Sequence, residues 1–346
     1  MPTAAPAPHY RGGLSTLLTA NTPFDQVLAV AGAHRDAARR SGSLPELAAA
    51  ELALAEAHRR LGDIPRSERA WKASYRAARA ADDIAGMAWA LWCGGTLARQ
   101  RGTLTLSQRW LSAAVTLAEH ADDADALGHA RAGYAETGRV QGDYTAVLTL
   151  HHQELDTARR RADHPHAVWA LLGIAQIHRN TGDLHQALTL FQEAAQTAAR
   201  ADYRAGHAWA QRGIADLLSE QGQTEEALRL LSEAETTCRD LRQDSALAYN
   251  LKMRGNVYYR AARYEQAQQA YRAAHDIFTA MGEQRGTALA RFGLTKAQAQ
   301  CGQPPHQTAT ELHELRRTFA RIGLRHACDM VEKALAELGI ERDPRH

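Results

Sequence analysis

Apolar residues recur along this chain at spacings of four and then three. Ala187, Phe191 and Ala194 form one set, Ala227, Leu231 and Ala234 the next, and Ala267, Tyr271 and Ala274 a third. Such spacings place all three residues on one helical face. Upstream of each set stands a small residue: Ala175, Ala215 or Gly255. The bulky middle residue is therefore predicted to fill the gap that its small neighbours leave, and small residues let two helices approach closely. Between the small residue and the set lies a turn, clearest at Thr181-Gly182-Asp183-Leu184. The pattern predicts helix, Gly-Asp turn, helix.

The turn glycine acts as a ruler. Gly62, Gly102, Gly142, Gly182, Gly222 and Gly302 share one register of 40 residues, with Ala262 as the single substitution. Self-similarity at a fixed period of this size signals a solenoid. Seven residues before the turn the side chain is small in Ala55, Gly95, Ala135, Ala175, Ala215 and Gly255, and Thr295 is the exception. Thr22-Pro23 falls one period before Gly62, and proline suits a first helical turn. Phe24 to Arg40 is thus predicted to be the second helix of an incomplete first repeat, and Ser43 to Arg60 the helix that Gly62 closes. The expected organisation is a mobile arm over 1–22, a solenoid over 23–338 ending in a capping helix near Ala327–Leu338, and a tail over 339–346.

Composition narrows the function classes. Lys+Arg is 41 against 39 for Asp+Glu, which gives no bias towards nucleic acid or an anionic membrane. Alanine and leucine dominate the apolar residues, which favours helix throughout. No apolar run reaches the ~18 residues of a membrane span, and residues 1–8 lack the pattern of a signal peptide. The four cysteines, Cys93, Cys238, Cys301 and Cys328, lie far apart without a CxxC pair, so a reducing cytoplasmic setting is expected.

The small residue before the turn, the turn glycine and the Ala-large-Ala set after it together resemble the tetratricopeptide repeat family. The resemblance runs over about residues 23–338. It implies an all-α, right-handed superhelical solenoid of about seven helical hairpins. Departures are present. The family's usual period is about 34 residues, whereas here it is 40. Ser67-Trp71-Ser74 and Val147-His151-Glu154 are weak versions of the set. The long period, with phrases such as Phe278-Thr279-Ala280-Met281-Gly282 and its echo Phe319-Ala320-Arg321-Ile322-Gly323, is similar to repeats of bacterial regulators. No GxxxxGK[ST] motif is present, so P-loop ATPase chemistry is not expected.

In this family one stripe of each first helix faces the concave groove, and here it falls at −13, −10, −6 and −3 from the turn. At −13 stand Trp89, His129, Trp169, Trp209 and Tyr249; at −10, Trp92, Arg212 and Lys252. The −6 rung holds Glu56, Glu136, Gln176, Asp216 and Asn256, and the −3 rung Arg59, Arg99, Arg139 and Arg179. Aromatic residues beside arginine are the composition of a binding surface, and arginine supplies forked donors. The expected ligand is a peptide or extended protein segment, gripped by the −6 rung and read by tryptophans and arginines. The competing reading packs the tryptophans between repeats and pairs the arginines with Glu56, Glu136 and Asp216. On the groove reading, Arg139→Ala with Arg179→Ala would abolish binding without altering the helical melt. Some relatives capture a terminal carboxylate with a Lys and an Asn four apart; Lys252 and Asn256 match that pair, while Gly293 stands where a further Asn is usual.

A regulatory or assembly role is therefore expected. The alternative is a tailoring enzyme acting on a peptide or small molecule, with Glu56, Glu136, Asp216 and His129 as acid–base groups. A scaffold that uses its outer face is a third reading. No adjacent nucleophile and base can be identified, and Cys93 reads as a packing residue. The histidines, 17 in all, lack zinc-site spacing, and His178 falls where the family packs a tyrosine. No metal, cofactor, nucleic acid or membrane partner is expected.

Overall fold

A computed structural model describes residues 21–339. Among them are sixteen helices and no strand. The first helix, α1 (Phe24–Ser41), is the unpaired half-repeat. Seven hairpins follow: α2 (Leu44–Arg60) with α3 (Ile64–Ala80), α4 (Ile84–Gln100) with α5 (Leu104–His120), α6 (Ala124–Gln141) with α7 (Tyr144–Arg160), α8 (His164–Thr181) with α9 (Leu184–Arg200), α10 (Arg204–Glu220) with α11 (Thr224–Asp240), α12 (Asp244–Arg260) with α13 (Tyr264–Ala280), and α14 (Gln284–Gln300) with α15 (Pro305–Arg321). Last comes α16 (Arg325–Glu337). The expected arm lies outside the described residues except for Asn21 and Thr22, and the expected tail except for Gly339. Asn21 is tied down: its side chain donates to the Asp202 carbonyl at 2.5 Å and accepts from the Arg204 amide at 3.1 Å.

The long period has a simple origin. Most helices have 17 residues, and three-residue links such as 61–63 and 81–83 join them. Each link closes the same way. The Asp183 amide donates to the His178 carbonyl at 2.9 Å, five residues back, which is the Schellman pattern. Gly182 adopts φ +91°, the left-handed conformation that glycine reaches without a Cβ clash. Asp183 then caps the next helix by accepting from the Gln186 amide at 3.1 Å. The links that lead from one hairpin to the next are also left-handed, yet the residues there are mostly not glycine: Asp82, Asp122, Ala162, Asp202 and Arg242 have φ near +50°. That second ruler went unread because its chemistry varies. Its only signal was Gly42 and Gly282, which share its register.

The bulky residue of each Ala-large-Ala set is the core. Leu111, His151, Phe191 and Leu231 are fully buried. Each is received by small residues on two inner helices. A Cβ on Gly95, seven before its own turn, would stand 2.6 Å from Leu111. A Cβ on Gly213, nine before the next turn, would stand 2.4 Å from the Phe191 ring. Gly173 faces His151 and Gly293 faces Tyr271 in the same manner. Sequence reading found the −7 rung and missed the −9 rung, which seats the bulky residue of the preceding hairpin. His151 occupies this hydrophobic position with neither ring nitrogen hydrogen-bonded, and burial pulls its pKa down to about 4. The rung predicts that Gly213→Ala destabilises the fold. Alanine gains about 1 kcal/mol of helix propensity, but forcing the Phe191 ring aside costs about 1–3 kcal/mol. A lower urea midpoint checks this, and an unchanged or higher midpoint would remove the rung from the core.

The solenoid curls until it meets itself. Gly62 packs under Met281, and Gly102 under Ile322, residues about 220 apart in the chain. Leu104 and Val140 join one apolar cluster with Leu312, Phe319, Ile322 and Leu324. Along the same seam, Arg325 donates to the Gln141 carbonyl at 2.9 Å and pairs with Asp143. Each repeat adds a small fixed rotation, and between five and six repeats complete a turn. The expected open groove is thereby closed into an internal channel lined by the first helices of the hairpins.

Candidate functional site

The channel encloses a cavity of about 950 Å³. That is the upper end of the ~300–1,000 Å³ usual for ligand sites. Of the residues the stripe predicted, Trp92, Arg99, Glu136, Arg139, Trp169, Gln176, Arg179, Trp209, Arg212, Tyr249, Lys252 and Asn256 line it, as do Glu56 and His129. Trp89 and Asp216 stand behind the wall. Trp89 donates from its indole nitrogen to Asp123 at 3.2 Å and packs against the Trp92 and His129 rings. Asp216 is 1% exposed.

The arginine rung lines the channel and is also paired, so the two opposed sequence readings are partly reconciled. Arg59 donates from Nε to Glu56 at 2.9 Å, and Arg60 from Nε at 2.8 Å. Arg139 grips Glu136 with two bonds of 2.7 Å. Arg179 reaches from α8 to Asp216 on α10 at 2.6 Å, and Arg260 reaches from α12 to the other oxygen at 2.8 Å. Arg99 is different: among the described residues its side chain donates to the Gly133 carbonyl at 3.2 Å. Pairing changes the value of the double substitution at Arg139 and Arg179. It would strand Glu136 and weaken the hold on buried Asp216, so the melt could not stay unaltered.

Burial alone would push these carboxyls up. The guanidiniums overturn that effect and hold Glu56 at about 2 through Arg59 and Arg60, and Glu136 at about 2 through Arg139, Arg99 and Arg285. Against its own burial, Asp216 is lowered by Arg179 and Arg260. A carboxylate held ionised this firmly is a poor base and no acid near neutrality. His129 donates through Nδ1 to the Asp125 carbonyl, 3.0 Å away. Cys93 is fully buried, and burial pushes its thiol up. Gln176 is the contrasting case: it faces the channel and makes no hydrogen bond to any described residue.

Several lining residues escaped the stripe. Pro165, Ala205, Ser245 and Arg285 stand one helical turn before the −13 rung, and the cap residues Asp163, Tyr203, Gln243 and Glu283 stand just before those. The stripe thus runs one turn further towards the helix N-termini than the resemblance indicated. Arg60, in the last turn of α2, crosses to stack on both Phe24 and Trp209, 5.8 Å from each ring centre. No sequence signal connects α2 to α10, because only closure of the superhelix brings them together.

Charge collects in this channel. Eleven lysine and arginine side chains line it against six carboxylates, although the whole chain carries a net charge of only +2. None of the helices among the described residues is long and apolar enough to cross a membrane.

Comparison with known proteins agrees with this architecture. The tetratricopeptide repeat family matches residues 166–240. No curated protein matches the chain. Among solved structures, a Rap protein complexed with competence and sporulation factor is similar at TM-score 0.55 and 13% identity, covering 92% of this chain and 98% of that one. The Rap conjugation gene regulator of the plasmid pLS20, in complex with the Phr* peptide, is similar at TM-score 0.64 and 14% identity, covering 88% and 80%. NprR in complex with its cognate peptide NprX is similar at TM-score 0.56 and 14% identity, covering 82% and 83%.

Proposed function

On a tetratricopeptide-repeat solenoid of this long-period kind, we propose that the chain binds a peptide or an extended protein segment inside its channel and acts as a regulator in the cytoplasm. The carrying observation is the channel wall. It joins aromatic faces at Trp92, Trp169, Trp209 and Tyr249 to a free amide at Gln176 and an excess of cations. Aromatic anchors bury large area at low entropic cost, and Gln176 offers the donor and acceptor that an extended backbone needs. Two of the similar structures support the reading by analogy, since they hold a peptide, Phr* or NprX. A small molecule would fit the same volume, but the carboxylates that would work on it are clamped by arginine.

Gln176 supplies the test. Short peptides selected on the wild-type protein should bind the Gln176→Ala variant about tenfold more weakly, the equivalent of one lost hydrogen bond. The helical melt should stay unchanged, because the Gln176 side chain bonds to no described residue. Selected peptides that bind Gln176→Ala and Trp209→Ala at full strength would move the site out of the channel.

A further inference from the structure

The described part of the chain begins at the cavity itself. Asn21 is bonded to the link before α10, through the Asp202 carbonyl at 2.5 Å and the Arg204 amide at 3.1 Å. Thr22 and Phe24 line the cavity, and so does Tyr203, which stands between the two anchoring residues. Arg60 stacks on both Phe24 and Trp209 and so holds the start of α1 against α10. Residues 1–20 therefore join the solenoid at the channel wall, and not on its outer surface.

The wall beside this anchor is aromatic. Tyr203 meets the Trp209 ring at 5.9 Å. On the preceding inner helices, Trp169 and His166 of α8, His129 of α6 and Trp92 of α4 form a chain of rings 5.9, 5.8 and 5.4 Å apart. All six side chains line the cavity. Packed helices lie about 8–10 Å apart, so the band spans roughly 30 Å from α10 to α4. The composition of residues 1–20 suits such a surface. Pro2, Pro6 and Pro8 oppose helix and favour the extended polyproline form. Segments of that kind dock on aromatic-lined grooves. Leu14, Leu17 and Leu18 gain by leaving water. At ~3.1 Å per residue, a segment of this length reaches about 60 Å, twice the band. It holds neither Asp nor Glu, so nothing in it favours the cationic wall over the aromatic one.

We propose that residues 1–20 are an intramolecular occupant of the channel, lying on the aromatic band between α10 and α4, and that an external ligand has to displace them. The displacement rests on the channel being a peptide site; the occupancy does not. A tethered segment has an effective concentration of about 1 mM. An intrinsic dissociation constant of only about 0.1 mM then keeps it in place most of the time and weakens an external ligand about tenfold. The segment thus sets the ligand concentration at which the channel responds.

The full chain with Tyr10→p-benzoylphenylalanine tests the occupancy. Irradiation should join residue 10 to α4, α6, α8 or α10 of the same chain, as read by peptide mapping. No attachment, or attachment confined to the outer helices, would overturn the proposal. Attachment only between chains would overturn it too and give the channel to a second copy. Changing Leu14, Leu17 and Leu18 together to Ser should lower the cross-link yield and leave the helical melt unchanged. Peptides selected on the wild-type protein should bind that variant about tenfold more tightly, and equal affinity would overturn the competition. Cross-linking needs no external ligand, so the two readings fail separately. Channel cross-links without any peptide binder remove only the peptide reading, and peptides held in the channel with residue 10 outside it remove only the intramolecular occupant.

Discussion

Asp216→Asn should be among the most destabilising single changes in this protein, at about 3 kcal/mol. The carboxylate is 1% exposed and receives Arg179 from α8 and Arg260 from α12, while it sits on α10 between them. One side chain thus ties three successive hairpins. Asparagine keeps the shape but removes the charge, which leaves two guanidiniums facing each other across a neutral amide. Both arginines are about a third exposed or less and regain some solvation, which places the value at the lower end of the ~3–5 kcal/mol for breaking a buried pair. Arg260→Ala should cost much less, because Arg179 still satisfies Asp216. In a solenoid the loss spreads to neighbouring interfaces. Urea unfolding followed by far-UV ellipticity checks it, and a loss under about 1 kcal/mol for Asp216→Asn would show the hub to be energetically silent.

Acid should weaken the fold in a defined window. Glu56 and Glu136 are held at about 2 in the folded chain, below the ordinary 4.5. A depressed carboxyl contributes stability above its unfolded pKa, and that contribution is lost as pH falls towards the folded one. The window therefore runs from about 4.5 down to about 2. Each unit corresponds to about 1.4 kcal/mol, so each glutamate contributes about 3 kcal/mol at neutral pH. Urea midpoints measured between pH 5 and pH 2 should fall steeply, and the slope should be shallower in Glu56→Gln, where Glu136 and Asp216 still contribute. The variant itself should be weaker than wild type at pH 7 and nearly equal to it at pH 2. A slope that is the same in both proteins would mean that Arg59 and Arg60 do not hold Glu56 ionised.

Much of this was legible in the chain. The register of Gly62 through Gly302 located seven hairpins, because a left-handed residue is needed wherever a helix closes in a Schellman turn. Spacings of four and three identified Phe191 and Leu231 as core, and both are fully buried. Of the seventeen stripe residues, fifteen line the channel, Trp89 and Asp216 being the other two. Local periodicity reports which way a side chain points from its own helix. It does not report what stands opposite.

Tertiary structure decided everything that depends on the opposite side. A small rotation per repeat, too slight to mark any one sequence position, accumulates until Met281 meets Gly62 and Arg60 reaches Trp209. Closure turned a groove into a channel and brought Arg285 towards Arg99 and Glu136. The ladder that reads Arg59, Arg99, Arg139 and Arg179 is uniform in sequence, but three of these pair with carboxylates while Arg99 donates to a carbonyl. Charge pairing is settled by distance across helices, and distance exists only once the superhelix has closed.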